Sequence, residues 1–318
     1  MNLHQFRFAR EAVRQNFNLT DAAKVLFTSQ PGVSKAILEL EGELGVDIFR
    51  RHGKRIRNLT EPGKKILDSI NRILSEVENL KKIGAEYAAN DQGNFVIATT
   101  HTQARYALPQ VITEFTKRYP KVRVSIQQGS PEHLADLVMN DLADMAIATE
   151  GMTGVPGLIA LPGYHWQHVV VVPHGHPLLA KKPIALEDLV QYPLITYDTA
   201  FAGRKKISAA FAKKNLVPDV VLEAIDADVI KTYVETGLGV GIVAGGAYDA
   251  DRDKGLEMMP AGHLFGTNTT RIGIKKNAYL RGYSYTFIEL FAPTLTKKLV
   301  DQALSEQTED QHDTNYEI

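Results

Sequence analysis

The chain has 318 residues, 44% of them hydrophobic, and a net charge of −1, enough length for two domains that each bury a core. It contains no cysteine, which excludes structural disulfides, cysteine-held zinc, iron–sulfur clusters and a catalytic thiol; no apolar run could span a bilayer and the charged start MNLHQFRFAREAVRQ does not read as a leader, so a cytoplasmic protein without membrane association is expected. Charge is unevenly spread: residues 1–90 carry 15 Lys and Arg against 11 Asp and Glu, a balance of +4, leaving 21 against 26, a balance of −5, for the rest.

The first predicted elements are two short helices joined by a turn, within residues 18–45, NLTDAAKVLFTSQPGVSKAILELEGELG. Thr20 is the expected N-cap of the first, and Ala22, Ala23 and Leu26 let the second pack closely against it. Thr28 and Ser29 are the expected caps of the second helix, with Pro31 in its first turn, where a missing N–H costs nothing. Val33, Ile37, Leu40 and Leu44 form its apolar stripe. Gln30, Ser34 and Lys35 are left outside, a set of amide, hydroxyl and ammonium groups that suits phosphates and base edges in a major groove. The basic run RRHGKRIR, residues 50–57, reads as a β-hairpin wing with Gly53 at its tip. Arg50, Arg51, Lys54 and Arg55 there are candidates for phosphate contact. The positive balance of this end agrees in sign with such a surface.

Thr60, Glu61 and Pro62 signal the start of one long helix. Ile66, Ile70, Ile73, Val77 and Leu80 follow at alternating spacings, with Tyr87 a heptad beyond Leu80, which predicts a coiled-coil seam for dimerisation. Leu67 and Leu74 widen the stripe toward the helix's own winged domain. Gly84 is expected to loosen the end, where AEYAANDQG becomes a linker.

Residues 94–300 read as alternating strands and helices, an α/β organisation. Strands are expected at 95–98, 122–126, 145–148, 168–172, 194–197, 220–222, 240–243 and 271–274, with helices at 106–118, 131–140, 205–214, 227–236 and 281–290. The chain enters a second lobe near Gly163 and returns to the first, so a cleft forms beyond the carboxyl ends of the strands. Its candidate residues are those that follow strands: Thr99-Thr100-His101-Thr102-Gln103 before a helix near Tyr106, Thr149 beside them, and, in the other lobe, Phe201-Ala202-Gly203-Arg204 and Asp226-Ala227-Asp228. Hydroxyls and N–H groups at a helix start make an anion site. The expected division is a winged domain at 1–60, a linker helix at 61–92 and an effector domain at 93–300, with lobe I at about 93–162 and 267–300 and lobe II at about 163–266. Residues 301–318, with six acidic residues and no Lys or Arg, read as a solvated, disordered tail.

Enzymatic readings lack a starting residue. GLGVGIVAGG at 237–246 does not place GxGxxG between a strand and a helix start, and reads instead as a helix end followed by a strand. His174 and His176 in PHGHPL have no third ligand spaced beside them. No GxSxG, HExxH or P-loop pattern occurs. No enzyme activity, metal or cofactor is expected.

AAKVLFTSQPGVSKAILELEGELGVDIF resembles the winged helix-turn-helix of LysR-type transcriptional regulators, and the long helix and bilobed domain are similar in order and length. TTHTQARYALP at 99–109, QGSP at 128–131, DMAIATE at 144–150, DADVIKTYVETGLGVGI at 226–242 and FAP at 291–293 resemble the CysB-like branch, which governs sulfur assimilation and cysteine biosynthesis. The resemblance implies a homotetramer of winged domains and periplasmic-binding-protein-like effector domains that binds double-stranded promoter DNA, contacts RNA polymerase, and answers to acetylserine, with sulfide or thiosulfate as antagonists and sulfate as a possible cleft ligand. It implies effector contacts at Thr100, Thr102, Gln103 and Thr149, with Trp166 nearby. Ala202 stands where the family has a threonine, which removes one hydroxyl; Thr199 is the nearest candidate to replace it. Ala36 and Leu38 are apolar where relatives carry longer polar residues, leaving base readout to Gln30, Ser34 and Lys35. The alternatives are a regulator of sulfonate or sulfate-ester genes, or a ligand-binding protein without promoter activity.

Overall fold

The computed structural model describes residues 1–53, 55–88, 92–201 and 203–305, and divides into two compact units, Met1–Ala88 and Ala89–Ile318. Among the described residues no helix is long and apolar enough to cross a membrane.

The first unit contains α1 (Leu3–Arg14), α2 (Leu19–Val25), α3 (Gln30–Leu44), the hairpin β1 (Phe49–His52) and β2 (Arg55–Leu59), and α4 (Glu61–Ala88). The cap of α2 is Asn18, not Thr20: the Asn18 side chain accepts from the Thr20 and Asp21 amides at 3.0 and 3.3 Å. Asparagine satisfies these two orphan donors from two residues further out. Ser29 caps α3 by accepting from the Gly32 amide at 3.2 Å, and Thr28 lies outside the cap. Gly45 ends α3 in the left-handed conformation. Val33, Ile37 and Leu40 are buried with Ala9, Ile48 and Phe49 in a single core.

The wing is braced from beneath by Glu41, which is only 5% exposed. Its Oε1 accepts from the Ile48 and Phe49 amides at 2.8 and 3.0 Å, and its Oε2 takes the Arg51 guanidinium at 2.7 Å. Gly63 in the first turn of α4 lies so near the hairpin that a Cβ there would come 2.0 Å from the Ile48 carbonyl oxygen. Further along α4, Leu67, Ile70 and Leu74 are buried, with Ile70 and Leu74 in the winged unit's own core. Ile70 is therefore not a seam residue. The exposed stripe is Ile73, Leu80 and Tyr87, spaced by seven. The helix does not loosen at Gly84 but runs to Ala88, because one glycine costs a long helix little.

The second unit is built on β3 (Gln92–Thr99), α5 (Leu108–Arg118), β4 (Lys121–Gln128), α6 (Pro131–Met139), β5 (Met145–Ala148), β6 (Leu158–Pro173), α7 (Leu186–Leu189), β7 (Leu194–Tyr197), α8 (Arg204–Lys213), β8 (Val220–Ala224), α9 (Ala227–Glu235), β9 (Val240–Ala244), β10 (Leu256–Pro260), α10 (Gly262–Phe265), β11 (Thr267–Lys275), α11 (Gly282–Phe291) and α12 (Lys297–Ser305). The sheet order is β4-β3-β5-β11-β6-β9-β7-β8, with β10 paired to β6. β5, β7 and β9 are buried along their whole length, as strands covered on both faces should be. One lobe packs Phe95, Phe115 and Phe287 beneath β3 and β5; the other packs Leu194, Phe211 and Phe265.

The strand expected at 168–172 is the second half of β6, which starts at Leu158 and passes through both lobes. Its first half pairs with β11 and its second with β9 and β10. The sequence hides the first half because Pro162-Gly163 reads as a turn; the pairing register shifts there, opposite Thr270 and Arg271, as at a bulge. β10 and α12 were not expected. Val300 and Leu304 of α12 are buried, so residues 301–305 belong to the folded unit rather than to a solvated tail, and 306–318 lie outside the described residues.

Candidate functional site

On the winged unit, Thr28, Ser29, Gln30, Pro31 and Lys35 are exposed and Ser34 is half-buried. Lys35 lies 3.8 Å from Glu39, both well exposed, a pairing too solvated to hold the ammonium. Gln30 and Arg55 share a polar concavity of about 570 Å³ with Asn16, Asn18 and Thr20. Arg50 is exposed on the wing, whereas Arg51 is drawn back onto Glu41, and Lys54 lies outside the described residues. Leu38 is 52% exposed on α3.

In the second unit the cleft residues fall partly on a helix. The chain becomes helical at His101, and Gln103–Ala107 form a π-helical turn before α5, so Thr102 and Gln103 belong to a wide helical turn and not to the loop expected ahead of Tyr106. Such turns displace side chains from the regular helical path and recur at functional sites. Buried Thr100 precedes it, its carbonyl accepting from the Ala104 amide at 3.0 Å.

A hydrogen-bonded cluster gathers around these residues. The Gln103 amide nitrogen donates to Thr270 Oγ1 at 3.4 Å, and the Tyr164 hydroxyl donates to Gln103 Oε1 at 2.7 Å. Thr149 Oγ1 lies 3.4 Å from Thr270 Oγ1 and accepts from Trp166 Nε1 at 3.2 Å. Thr102, Gln103, Tyr106, Tyr164 and Trp166 line a cavity of about 250 Å³ together with Ala244, Gly246 and Ala247. That volume suits a small polar molecule, and the lining residues carry no full charge.

Beside the cavity, side chains from both lobes meet. The Tyr106 hydroxyl and the Arg105 guanidinium donate to Asp228 at 2.6 and 3.3 Å. Burial, and then the Asp228 carboxylate, push the Tyr106 phenol well above its ordinary pKa. Burial works to raise Asp228 as well, but the Tyr106 hydroxyl, Lys231 and Arg105 outweigh it and hold the carboxyl below its usual value. Lys231 is itself buried, 2.8 Å from Asp253 and bonded to the Ala247 carbonyl. A second crossing joins Glu150 to the Gly203 amide. Ala202 lies outside the described residues.

His101, Asp226 and Asp228 lie close enough to share an ion, but Arg105 and Lys231 already supply positive charge to Asp228. His174 bonds Glu257 and the Lys254 carbonyl, while His176 caps the Leu178 amide and packs on Tyr192, so that pair faces separate partners. Sequence reasoning missed Tyr164, Thr270 and Glu150. Glu150 stood within the quoted run DMAIATE, but nothing in spacing indicates that its side chain crosses a cleft.

Residues 3–64 match the family model for the bacterial regulatory helix-turn-helix protein, lysR family, and residues 88–296 match the LysR substrate binding domain. The chain belongs to the LysR family of transcriptional regulators and, within it, to the CysB-like regulators of sulfur-metabolism genes. It is 65% identical to the HTH-type transcriptional regulator CysB of Burkholderia cenocepacia over 309 residues, 97% of this chain and 99% of that protein. It is 53% identical to the regulator SsuR of the same organism, covering 96% and 99% of the two chains, and 44% identical to the regulator cbl of Escherichia coli, covering 98% and 99%. Among solved structures, the cofactor-binding domain of the Cbl transcriptional regulator superposes with a TM-score of 0.66 at 42% identity, covering 68% of this chain and 95% of that one. A full-length OxyR variant of Pseudomonas aeruginosa gives 0.68 at 20% identity over 92% and 97%, which shows the shared fold.

Proposed function

We propose that the chain controls sulfate-assimilation and cysteine-biosynthesis promoters in the cytoplasm by coupling the cleft to DNA binding. Thr28, Ser29, Gln30, Pro31, Ser34, Lys35, Arg50 and Arg55 meet the DNA, with Arg51 as a brace for the wing. Thr100, Thr102, Gln103, Thr149 and Trp166 receive a small anionic or amino-acid-like effector of the acetylserine, sulfate or thiosulfate class. The observation that carries this reading is the uncharged hydrogen-bonded cluster of Gln103, Thr149, Tyr164, Trp166 and Thr270, of which Gln103, Tyr164 and Trp166 line one small cavity. An effector alters DNA affinity only by binding two arrangements of the protein unequally, and the crossings at Asp228 and Glu150 supply contacts that such arrangements would exchange.

The protein acts as a homotetramer and engages RNA polymerase, with domains divided near residues 60 and 92. The exposed Ile73, Leu80 and Tyr87 stripe supports a paired α4, beside an apolar hollow of about 310 Å³ lined by Phe6, Leu44, Ile66, Ile70 and Ile73. The relatives are regulators, which supports a chain without enzyme activity. The test is promoter affinity of the purified protein measured with acetylserine, sulfate, thiosulfate and adenylyl sulfate. At least one should change the affinity; four null results would overturn the effector class, and absent promoter binding would favour a ligand-binding protein. A response confined to sulfonate-gene or sulfate-ester-gene promoters would favour a regulator of those genes.

A further inference from the structure

The end of β5 sends two consecutive side chains toward the opposite lobe. Thr149 enters the hydroxyl cluster, and Glu150 reaches further, its Oε1 accepting the amide N–H of Gly203, the N-cap of α8. Gly203 has φ +71°, and a Cβ there would lie 2.8 Å from both Asn268 Oδ1 and His168 Cε1. Only glycine tolerates that conformation and that packing together, so the direction of its amide is fixed. A helix start with its donors aimed outward is an anion acceptor. Here the anion is part of the chain. Burial raises the pKa of Glu150, opposed first by the Gly203 amide and more weakly by Lys205 and Lys206, so placing the carboxyl here carries a desolvation cost.

No lysine or arginine lines the neighbouring cavity. An anion bound beside Thr149 would therefore draw on neutral donors and on the start of α8, which Glu150 already uses. We propose that Glu150 is a built-in competitor of anionic effectors: a ligand anion must take the Gly203 amide from the Glu150 carboxylate, and Glu150 thereby sets which anions the cleft admits and how tightly. The proposal rests on the reading of this cleft as the effector site. It makes Glu150 a specificity-determining residue.

Trp166 is the only tryptophan. Its indole bonds Thr149, and its ring packs edge-on to His168 at 5.0 Å, beside Gly203. The test is sulfate binding to the full-length protein, measured by calorimetry and followed by Trp166 fluorescence, in the unaltered chain and in Glu150→Gln, Glu150→Ala and Thr149→Ala, each first checked for cooperative thermal unfolding. Glu150→Ala should bind sulfate on the order of tenfold more tightly, the ratio expected for freeing one donor to a charged partner; Glu150→Gln, whose amide oxygen still accepts from Gly203 but carries no charge, should fall between it and the unaltered chain, and Thr149→Ala should bind it more weakly. Unchanged affinity in both Glu150 variants, with the loss in Thr149→Ala retained, would overturn the competition and leave the cleft reading standing. No sulfate binding by any of the four proteins would overturn both.

Discussion

The hydroxyl of Tyr106 donates to Asp228 Oδ1 at 2.6 Å, across the gap between the π-helical turn that precedes α5 and the first turn of α9. Tyr106 also lines the cavity and lies under the Lys231 ammonium, 5.2 Å from its ring centre. One side chain thus touches the ligand space, the facing lobe and a buried ion pair. Replacing it with phenylalanine keeps the ring and removes the bond. Tyr106→Phe should lower the thermal midpoint by about 2–4 °C, the shift expected when roughly 1 kcal/mol is lost from a unit of this size. An unchanged midpoint would show that water replaces the hydroxyl without cost.

Acid should weaken the same clasp. Asp228 has a lowered pKa in the folded chain, so its contribution is fully present above its unfolded value, near 3.8, and is lost as pH falls through the still lower folded value. The difference in thermal midpoint between the unaltered chain and Asp228→Asn should be constant from neutral pH down to about 5 and shrink below about 4. A difference that grew on acidification would have the wrong sign for this linkage.

Lys35 is 80% exposed on its side chain and only loosely associated with Glu39. Lys35→Ala should leave the unfolding midpoint in place and weaken promoter binding, with the slope of log affinity against log salt reduced by about 1. An intact slope would mean that the ammonium does not meet a phosphate.

Glu41 presents the opposite case, since it is buried and holds two amides and Arg51. Glu41→Ala strands all three, and chemical denaturation should register a loss of about 3 kcal/mol or more. DNA affinity should fall with it, although Glu41 faces away from solvent. Full stability in this variant would show that the wing does not depend on the brace.

Trp166→Phe removes the donor that holds Thr149 Oγ1. Effector affinity should drop about fivefold to tenfold, equivalent to roughly 1 kcal/mol, as measured by calorimetry. Affinity equal to that of the unaltered chain would place the ligand away from this hydroxyl.

Much of this architecture was legible because Met145–Ala148 is a continuous apolar run between Asp144 and Thr149, and Leu194–Tyr197 is rich in β-branched and aromatic residues between Pro193 and Asp198, and both appear where the pattern put them. The first half of β6 was not, since Pro162-Gly163 has the composition of a turn and only the partner strand reveals a bulge. Thr149 and Gln103 could be named from family motifs. Their partners Thr270 and Tyr164 could not, because they meet across 121 and 61 residues of chain, and periodicity carries no information on such pairs. The same holds for Arg51: a basic run shows charge, but the carboxylate that claims one of its members lies a helix away.

β6 and β11 belong to both lobes, and the irregular step in their pairing falls at Thr270 and Arg271. Thr270 is also the residue that receives Gln103 and neighbours Thr149. A molecule seated in that cluster would press on the fulcrum and not on the free ends of the arms. Displacements too small to notice at the ligand would be magnified at the rims of the lobes, as a short push beside a door's hinge sweeps its far edge through a wide arc.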